Sequence, residues 1–319
     1  MSSDYRVLLY YKYVDLPDYE EYCADHLQFC KDLGLRGRII VAPEGINGTV
    51  SGTVEQVEEY MEYVRSDERF ADIHFKIDEH EGHAFKKMHC RVKPELVKWD
   101  LEEDDIDPKT FGGQHLKPKE FREMLEDEDT IVIDGRNEYE YRIGHFRNAI
   151  RPEVNFSREF PEWVAEKADE WKDKKVITYC TGGIRCEKLT GILKKNGVED
   201  VYQLEGGITT YSKDPEVQGE LFDGKMYVFD ERISVPVNQK EEVVVAECEH
   251  CGKKEDRMIN CSNPGCNRQF VCCEDCEREY HAACTTECKE HPENRWDPEL
   301  GTQIDKYTRM EKEKQSHSV

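Results

Sequence analysis

Nine of the fourteen cysteines in this 319-residue chain lie between positions 248 and 288. A segment with so many cysteines and few large apolar residues cannot build an ordinary core, so metal or cross-links must supply most of its folding energy. The N-terminus, Met1-Ser2-Ser3, lacks the basic-then-apolar layout of a secretion signal, which predicts a cytoplasmic location and reduced thiols. The crowding therefore indicates metal binding rather than disulfides.

The spacing of these cysteines forms four pairs. They are Cys248 and Cys251, Cys261 and Cys266, Cys273 and Cys276, and Cys284 and Cys288. Four pairs predict two tetrahedral all-cysteine sites, the ligand set of structural zinc. A cross-braced arrangement joins the first pair to the third and the second to the fourth, a sequential one joins neighbours, and the spacing leaves both open. Cys272 is then a ninth, non-ligating thiol, although it could replace Cys273, and His250, His281 and His291 are reserve ligands. An iron–sulfur cluster and free reduced thiols are the alternatives.

The composition limits the classes of partner. The formal net charge is −24, which argues against a protein that wraps nucleic acid with its whole surface, although it allows a local basic groove. No segment approaches the roughly 20 continuous apolar residues that a membrane helix needs. We therefore expect no membrane partner.

The first hundred residues alternate strand and helix signals. Strands are predicted at 5–13, 38–41, 49–52, 73–77 and 88–92, and helices at 18–33 and 54–65. The order is β-α-β-β-α-β plus an extra strand, which predicts a ferredoxin-like or acylphosphatase-like domain over residues 1–99. Residues 100–118 contain an acidic run, two prolines and a Gly-Gly pair, and are predicted to be a linker.

A second domain is predicted over residues 119–215. Its strands are expected at 130–133, 175–179 and 201–204, and its helices at 119–126, 159–171 and 186–196. Strands that alternate with helices predict a parallel α/β sheet with helices on both faces. Beyond it we expect a connector at 216–245 with a strand near 226–229, the zinc-binding module at 246–292, and a polar tail at 293–319.

The second domain contains a cysteine at the end of a buried strand, followed by the loop Cys180-Thr181-Gly182-Gly183-Ile184-Arg185 and a helix. Backbone N–H groups of such a loop can form an anion-binding nest, and the positive end of the helix dipole adds to the field. Both favour the thiolate, which is the nucleophile. Arg185 adds a fixed positive charge. These features predict that Cys180 and Arg185 are catalytic.

Two further segments accompany this loop, Ile131–Arg136 and Gly144–Ile150, and together the three resemble the rhodanese domain. The resemblance implies that Cys180 can carry a persulfide and that Arg185 helps to bind the anion. The four residues between Cys180 and Arg185 are one fewer than in the Cys-x5-Arg cradle of phosphatases, which disfavours a phosphate ester. Cys186 could resolve a persulfide or disulfide on Cys180, or could be a helix residue that faces the core.

The resemblance extends over about 285 residues. Residues 43–49, Pro-Glu-Gly-Ile-Asn-Gly-Thr, residues 180–188, Cys-Thr-Gly-Gly-Ile-Arg-Cys-Glu-Lys, and the cysteine-rich segment are similar to the TrhO family of bacterial tRNA uridine hydroxylases. Membership implies oxygen-dependent formation of 5-hydroxyuridine at the wobble position of tRNA and a requirement for Cys180. It leaves the electron donor unassigned, because no Gly-x-Gly-x-x-Gly sequence follows a predicted strand.

A tRNA substrate requires positive charge somewhere on this acidic chain. The candidates lie at strand edges of the first domain: Arg36, Arg38, Lys86, Lys87, Arg91 and Lys93. Phe85 and Trp99 are candidates for stacking on bases. Solvated strand faces are the alternative explanation for the basic residues.

Two other functions fit parts of the sequence. A sulfurtransferase would move sulfane sulfur through a Cys180 persulfide without RNA. A non-catalytic protein would use the zinc module to recruit a partner and would tolerate Cys180→Ser.

Overall fold

The computed structural model of this protein describes residues 4–101, 106–266 and 268–304. These residues form two compact units. The first comprises residues 4–101, 106–141, 145–222 and 226–241, and the second comprises 142–144, 223–225, 242–266 and 268–304. No helix in the described ranges combines the length and the apolar character needed to cross a bilayer.

The N-terminal part of the first unit has the predicted acylphosphatase-like architecture. Its elements are β1 Tyr5–Tyr13, α1 Tyr19–Asp32, β2 Arg36–Ala42, β3 Gly45–Thr53, α2 Val54–Ser66, β4 Lys76–His80 and β5 Met88–Val92. The sheet order is β4-β1-β3-β2-β5, antiparallel except that the extra strand β5 runs parallel to β2. This is the split βαβ order that the sequence predicts.

Side-chain alternation gives this sheet two different faces. Leu8, Tyr10, Ile39 and Val50 point into a core shared with α1 and α2. The opposite face carries every second residue of the same strands. We call it the open face; it includes Leu9, Tyr11, Arg38, Ile40, Asn47 and Thr49.

Two boundaries in this part differ from the predictions. The strand expected at 73–77 begins only at Lys76, because the chain makes a 3-10 turn at Glu68–Phe70 and Ile73 is buried in the segment that follows. β3 begins at Gly45, so the β2–β3 turn is only Pro43-Glu44. A capping box fixes the start of α2, since Gln56 N donates to Thr53 Oγ1 (3.3 Å) and Thr53 N donates to Gln56 Oε1 (2.8 Å).

The second part of the first unit has the predicted parallel sheet. Its elements are β6 Gln114–Leu116, α3 Pro118–Leu125, β7 Thr130–Asp134, α4 Glu138–Tyr141, β8 Gly144–Phe146, α5 Phe160–Trp171, β9 Lys175–Tyr179, α6 Ile184–Lys195, β10 Val201–Leu204, α7 Gly207–Tyr211, β11 Phe222–Tyr227 and β12 Ser234–Pro236. The main sheet has the order β6-β10-β9-β7 and every pair in it is parallel. Strands β12, β11 and β8 form a separate small sheet in that order.

The linker predicted at 100–118 is not wholly a linker. Residues 114–116 form β6, an edge strand that pairs with β10 and extends the sheet of the second domain. The strand is only three residues long, which is why its hydrophobic pattern gives no signal. Residues 102–105 of this stretch lie outside the described residues.

The second unit consists of short elements. They are β13 Met258–Asn260, β14 Gln269–Val271, α8 Glu274–Glu279, α9 Thr286–Lys289, β15 Trp296–Asp297 and β16 Thr302–Gln303. Its core contains Ile259, Phe270, two alanines and several cysteines, with Tyr280 and Trp296 partly buried against it. This small core agrees with the expectation that the segment depends on its cysteines. Residues 305–319 of the predicted polar tail lie outside the described residues.

Candidate active site and metal centres

Cys180 follows the last residue of β9 and is fully buried at the head of the predicted loop. Gly183, in a left-handed conformation at φ +104°, turns its N–H toward the sulfur, and this N–H lies 3.1 Å from Cys180 Sγ. Helix α6 begins at the next residue, so its N-terminus points at the same sulfur. The loop therefore forms the anion-binding cradle that the sequence predicts.

The surroundings of Cys180 favour its thiolate. Burial opposes ionisation, but a hydrogen bond from the Cys186 thiol, the charge of Arg185 and the N–H groups of Arg185 and Gly183 outweigh it, and the pKa of Cys180 is lowered. Burial and the hydrogen bond to Cys180 raise the pKa of Cys186 well above its usual value. Cys186 is the proton donor of this pair and Cys180 the acceptor.

Arg185 has a buried carboxylate partner that sequence reasoning missed. Its guanidinium donates to both oxygens of Glu140, at 2.6 and 2.9 Å, and to Thr181 Oγ1 at 3.2 Å. Glu140 lies on the four-residue helix α4 and is completely buried. The bidentate pair fixes the plane of the guanidinium beside the loop. Glu140 lies 45 residues from Arg185 in sequence, so no local pattern links them.

A second buried ion pair contacts the strand residue that precedes the loop. Asp134 accepts three hydrogen bonds from the Arg136 guanidinium, with nitrogen–oxygen distances of 2.9, 3.2 and 2.6 Å, and one from the Tyr179 hydroxyl at 2.8 Å. All three residues are buried. Because Tyr179 immediately precedes Cys180, this network fixes the position of Cys180 at the end of β9.

The open face of the N-terminal sheet lies directly against the Cys180 loop. A Cβ on Gly182 would lie 2.9 Å from Leu9 Cδ2, and one on Gly183 would lie 2.8 Å from the Tyr11 hydroxyl oxygen. Only glycine permits so close an approach. The Gly-Gly pair thus serves both the loop conformation and the contact with β1.

Polar contacts hold the same two elements together. The Tyr11 hydroxyl donates to Glu187 Oε1 (2.7 Å), and His115 Nε2 lies 3.3 Å from the other oxygen of that carboxylate. Burial opposes ionisation of Glu187, but hydrogen bonds from His115, Tyr11 and Gln203 lower its pKa. Lys188 Nζ lies 2.7 Å from Glu44 Oε2. The segments 43–49 and 180–188, distant in sequence, therefore form one site.

A cavity of about 370 Å³ lies between the loop and the open face. One wall is the loop itself, including Cys180 and Arg185, and the other is formed by strands β1, β2 and β3. The strand residues that line it are Leu9, Tyr11, Arg38, Ile40, Asn47 and Thr49. The remaining side is lined by Leu96, Val97, Asn137, Ser157 and Phe229. Its size falls within the range of about 300–1,000 Å³ that is usual for small-ligand sites.

Three of the basic residues predicted for RNA lie on the open face or its edge. Arg36 and Arg38 are exposed on β2, and the register between β2 and β5 places Arg91 opposite Ile40, on the same side of the sheet. Arg38 also lines the cavity. Lys86 and Lys87 precede β5 and Lys93 follows it, all exposed, and Lys86 pairs with Glu231 at 3.3 Å.

The two aromatic residues predicted to stack on bases do not do so. Phe85 and Trp99 are 5% and 1% exposed, and Trp99 belongs to the core around Phe160. Hydrophobic side chains such as these are more stable in the core than in solvent. In the sequence, the neighbouring basic residues suggest an exposed segment instead.

The eight paired cysteines form two groups of four. Cys248, Cys251, Cys273 and Cys276 make one, and Cys261, Cys266, Cys284 and Cys288 make the other, with all ligand atoms of a group within 4.8 Å of one another. This is the cross-braced arrangement. Sulfur–sulfur distances of 3.8 Å (Cys251–Cys273) and 3.6 Å (Cys266–Cys284) match the roughly 3.8 Å edge of a tetrahedron with 2.3 Å metal–sulfur bonds. Cys272 belongs to neither group.

Three family models match consecutive parts of the chain. Residues 5–96 match the UPF0176 acylphosphatase like domain, residues 117–214 the rhodanese-like domain, and residues 223–289 the segment described as rhodanase C-terminal. These matches agree with the acylphosphatase-like and rhodanese resemblances of the first two domains.

Curated proteins match over nearly the whole chain. A Bacillus licheniformis protein is 60% identical over 301 residues, which cover 94% of this chain and 93% of that protein. A Staphylococcus carnosus protein is 59% identical, covering 92% of each chain, and one from Oceanobacillus iheyensis is 55% identical, covering 95% of each. All three are named tRNA uridine(34) hydroxylase.

Proposed function

Because this chain belongs to the tRNA uridine(34) hydroxylase family, we propose that it hydroxylates C5 of the wobble uridine of tRNA, with molecular oxygen as co-substrate and Cys180 as the nucleophile. The observation that carries the proposal is the cavity between the Cys180 loop and the open face. It is large enough for one nucleoside, and its loop wall presents a buried sulfur whose pKa is lowered.

The wobble base reaches this cavity by leaving the stack of the anticodon loop. Enzymes that modify a base extrude it into a pocket, and the cost is smallest where the base is already single-stranded. Asn47 and Asn137 on the cavity wall offer amide donors and acceptors of the kind that read a base edge. Leu9 and Ile40 provide apolar surface for the ring.

The thiolate has a definite role in this chemistry. Cys180 Sγ adds to C6 of the uracil ring, and the electron pair of the broken C5–C6 double bond moves into an enolate, which makes C5 nucleophilic. C5 then bonds to one atom of molecular oxygen, and the O–O bond breaks as a two-electron reductant and two protons convert the other atom to water. Loss of the C5 proton with expulsion of the thiolate restores the ring. The balance is uridine, oxygen, two electrons and two protons in, and 5-hydroxyuridine and water out, so an external donor supplies the electrons.

The basic residues supply the path for the phosphates. Arg36, Arg38 and Arg91 share the side of the sheet that forms the cavity wall, with Lys86, Lys87 and Lys93 at its edge. On a chain of net charge −24, such a local track can hold an anionic backbone while the remaining surface repels it. Because its substrate is tRNA, we propose that the protein acts in the cytoplasm.

We also propose that each group of four cysteines holds one structural zinc ion. All eight donors are thiols, which suits zinc in a closed tetrahedral site, and no open coordination position is left for chemistry. The ions would supply the folding energy that the small core of the second unit cannot.

Nucleoside mass spectrometry tests the proposed activity. Total tRNA from cells that lack this gene is compared after rescue with wild type or Cys180→Ala, in a strain with no second route to hydroxyuridine. We expect 5-hydroxyuridine-derived nucleosides only with wild type, and incorporation of ¹⁸O from labelled oxygen. Unchanged modification in the deletion strain would exclude the hydroxylase, and thiocyanate production from thiosulfate and cyanide without RNA would instead favour the sulfurtransferase.

A further inference from the structure

Few aromatic side chains in the described part of the chain are exposed. Within the described residues, the exposed aromatic rings are those of Phe111 (44%), Tyr139 (37%), Phe156 (53%) and Phe229 (47%). A large apolar ring in water forgoes the stabilisation that burial would give, so a group of them at one place indicates a binding surface. The positions of these four rings therefore indicate where a ligand binds.

Three of these four residues line the Cys180 cavity, contact a lining residue or precede one directly in sequence. Phe229 lines it directly. Tyr139 is joined to it through Asn137, whose Nδ2 donates to the Tyr139 hydroxyl at 3.2 Å and which is itself a lining residue. Phe156 immediately precedes Ser157, another lining residue. We call Tyr139, Phe156 and Phe229 the aromatic rim.

The rim residues are exposed yet held in place. The rings of Tyr139 and Phe229 both pack edge-on against Tyr227, with centroid distances of 5.3 and 5.0 Å. The Arg158 guanidinium lies 4.6 Å from the centroid of the Phe156 ring. Rings that are fixed before binding lose little conformational entropy when a ligand stacks on them.

We propose that the aromatic rim stacks on the nucleobases that flank the wobble uridine in the anticodon loop. The inference rests on the proposed function. A base extruded into the cavity leaves its neighbours unstacked at the mouth, and single-stranded RNA is recognised mainly by aromatic stacking on such bases. Phosphate contacts along the basic track position the RNA backbone but carry no sequence information, so stacking on the flanking bases adds contacts that hold one particular base at Cys180.

The chain offers a matched control in Phe111. It is nearly as exposed as Phe229, and Lys194 Nζ lies 5.9 Å from its ring centroid, but it does not line the cavity. Its replacement by alanine removes the same amount of exposed aromatic surface away from the rim. Any effect seen for Phe156→Ala and Phe229→Ala but not for Phe111→Ala therefore belongs to the position and not to the residue type.

The test uses the full-length protein and an anticodon stem-loop RNA with 2-aminopurine at the base that follows the wobble uridine. We expect wild type to quench the 2-aminopurine fluorescence, and Phe229→Ala and Phe156→Ala each to weaken binding roughly 5- to 150-fold, the range for loss of one stacked base. Phe229→Trp should retain wild-type affinity and quenching, and Phe111→Ala should behave as wild type. KM for the stem-loop should rise in the alanine variants more than kcat falls.

Two outcomes separate this inference from the proposed function. If wild type hydroxylates the stem-loop but Phe156→Ala and Phe229→Ala bind it as Phe111→Ala does, the rim does not stack on bases. If wild type neither binds nor hydroxylates the RNA, the proposed function itself is wrong, and with it the inference. The alkylation rate of Cys180 by iodoacetamide, unchanged in correctly folded variants, shows that the loop is intact in each case.

Discussion

The Cys180 loop and the cysteine-rich second unit use the same side chain in opposite ways. In the loop, one sulfur accepts hydrogen bonds from the N–H groups of Gly183 and Arg185 and from the Cys186 thiol, and lies beside a guanidinium. In the second unit, eight sulfurs are gathered in two groups whose spacing fits a metal ion. The loop stabilises the negative charge of a thiolate with hydrogen bonds and fixed dipoles. In the second unit, the four thiols of each group could instead bind a metal ion, which would neutralise their charge.

These two ways of stabilising a thiolate give the sulfurs different functions. A thiolate held by hydrogen bonds keeps its lone pairs and can attack a substrate. A thiolate in a closed four-sulfur site has its lone pair committed to the metal and contributes folding energy instead. We therefore expect cysteine replacements in the two regions to separate activity from folding.

The largest expected effect is on activity alone. Cys180→Ser replaces the polarisable nucleophile with a hydroxyl that stays protonated at neutral pH, so hydroxylation of the stem-loop should fall by more than about a thousandfold. The rate is measured as 5-hydroxyuridine formed per enzyme in a single turnover. The thermal midpoint and the zinc content should match wild type. Substantial residual hydroxylation would show that the sulfur does not attack the ring.

The next effect is on folding alone. Cys273→Ser removes one ligand of the first group, and the lost site should cost the second unit on the order of 10 kcal/mol of metal-dependent stability. Elemental analysis should find one zinc ion per chain instead of two, and limited proteolysis should cut the second unit. Cys272→Ala is the matched control, since Cys272 is buried next to Cys273 but belongs to neither group. Equal zinc content in the two variants would contradict the ligand assignment.

A smaller effect is expected from the buried partner of Arg185. Glu140→Gln keeps the size of the side chain but leaves the guanidinium without its countercharge, which for a buried pair costs about 3–5 kcal/mol. Urea denaturation monitored by tryptophan fluorescence gives the change in the free energy of unfolding. The exposed pair Lys119–Glu216 provides the contrast, because Glu216→Gln should leave the free energy of unfolding close to that of wild type. Similar values for both would mean that the Glu140 pair is not buried in solution.

The two regions also differ in how far the sequence alone predicts them. The loop from Cys180 to Arg185 and the four cysteine pairs are local patterns, so the candidate nucleophile and the metal-ligand set follow from spacing. The cross-braced arrangement cannot be predicted from the spacing, because it depends on which cysteine pairs the fold brings together. The architecture of both domains is confirmed because their hydrophobic periodicity is strong over most elements.

Contacts between distant residues account for what the sequence does not show. Glu140 reaches Arg185 across 45 positions, and Tyr11 reaches Glu187 across 176. Neither contact has a signature in a short window. Phe85 and Trp99 fail as stacking candidates for a related reason, since an aromatic residue in a basic segment is equally compatible with a core position, and only tertiary packing decides between the two.

The smallest effect we predict is a shift in the pKa of Cys180 on replacement of Cys186. It tests whether Cys186 stabilises the Cys180 thiolate. The pKa of Cys180 is lowered from the usual value near 8.5, so alkylation by iodoacetamide should stay fast from alkaline to neutral pH and slow only as the pH falls through the lowered pKa. Cys186→Ala removes one hydrogen bond to the thiolate, so the midpoint of this profile should move upward. At pH values between the midpoints of wild type and Cys186→Ala the rate should then fall severalfold.

A buried cysteine outside the site serves as the control for this last experiment. Cys30 lies in the core of the N-terminal sheet, where burial raises its pKa to about 12, so it should not react in the folded protein. Cys30→Ala should therefore leave the midpoint of Cys180 where it is in wild type. An unchanged midpoint in Cys186→Ala as well would mean that the loop N–H groups and Arg185 hold the thiolate without the second sulfur. Cys186 would then be a core residue of α6, and the loop would need only one cysteine for its chemistry.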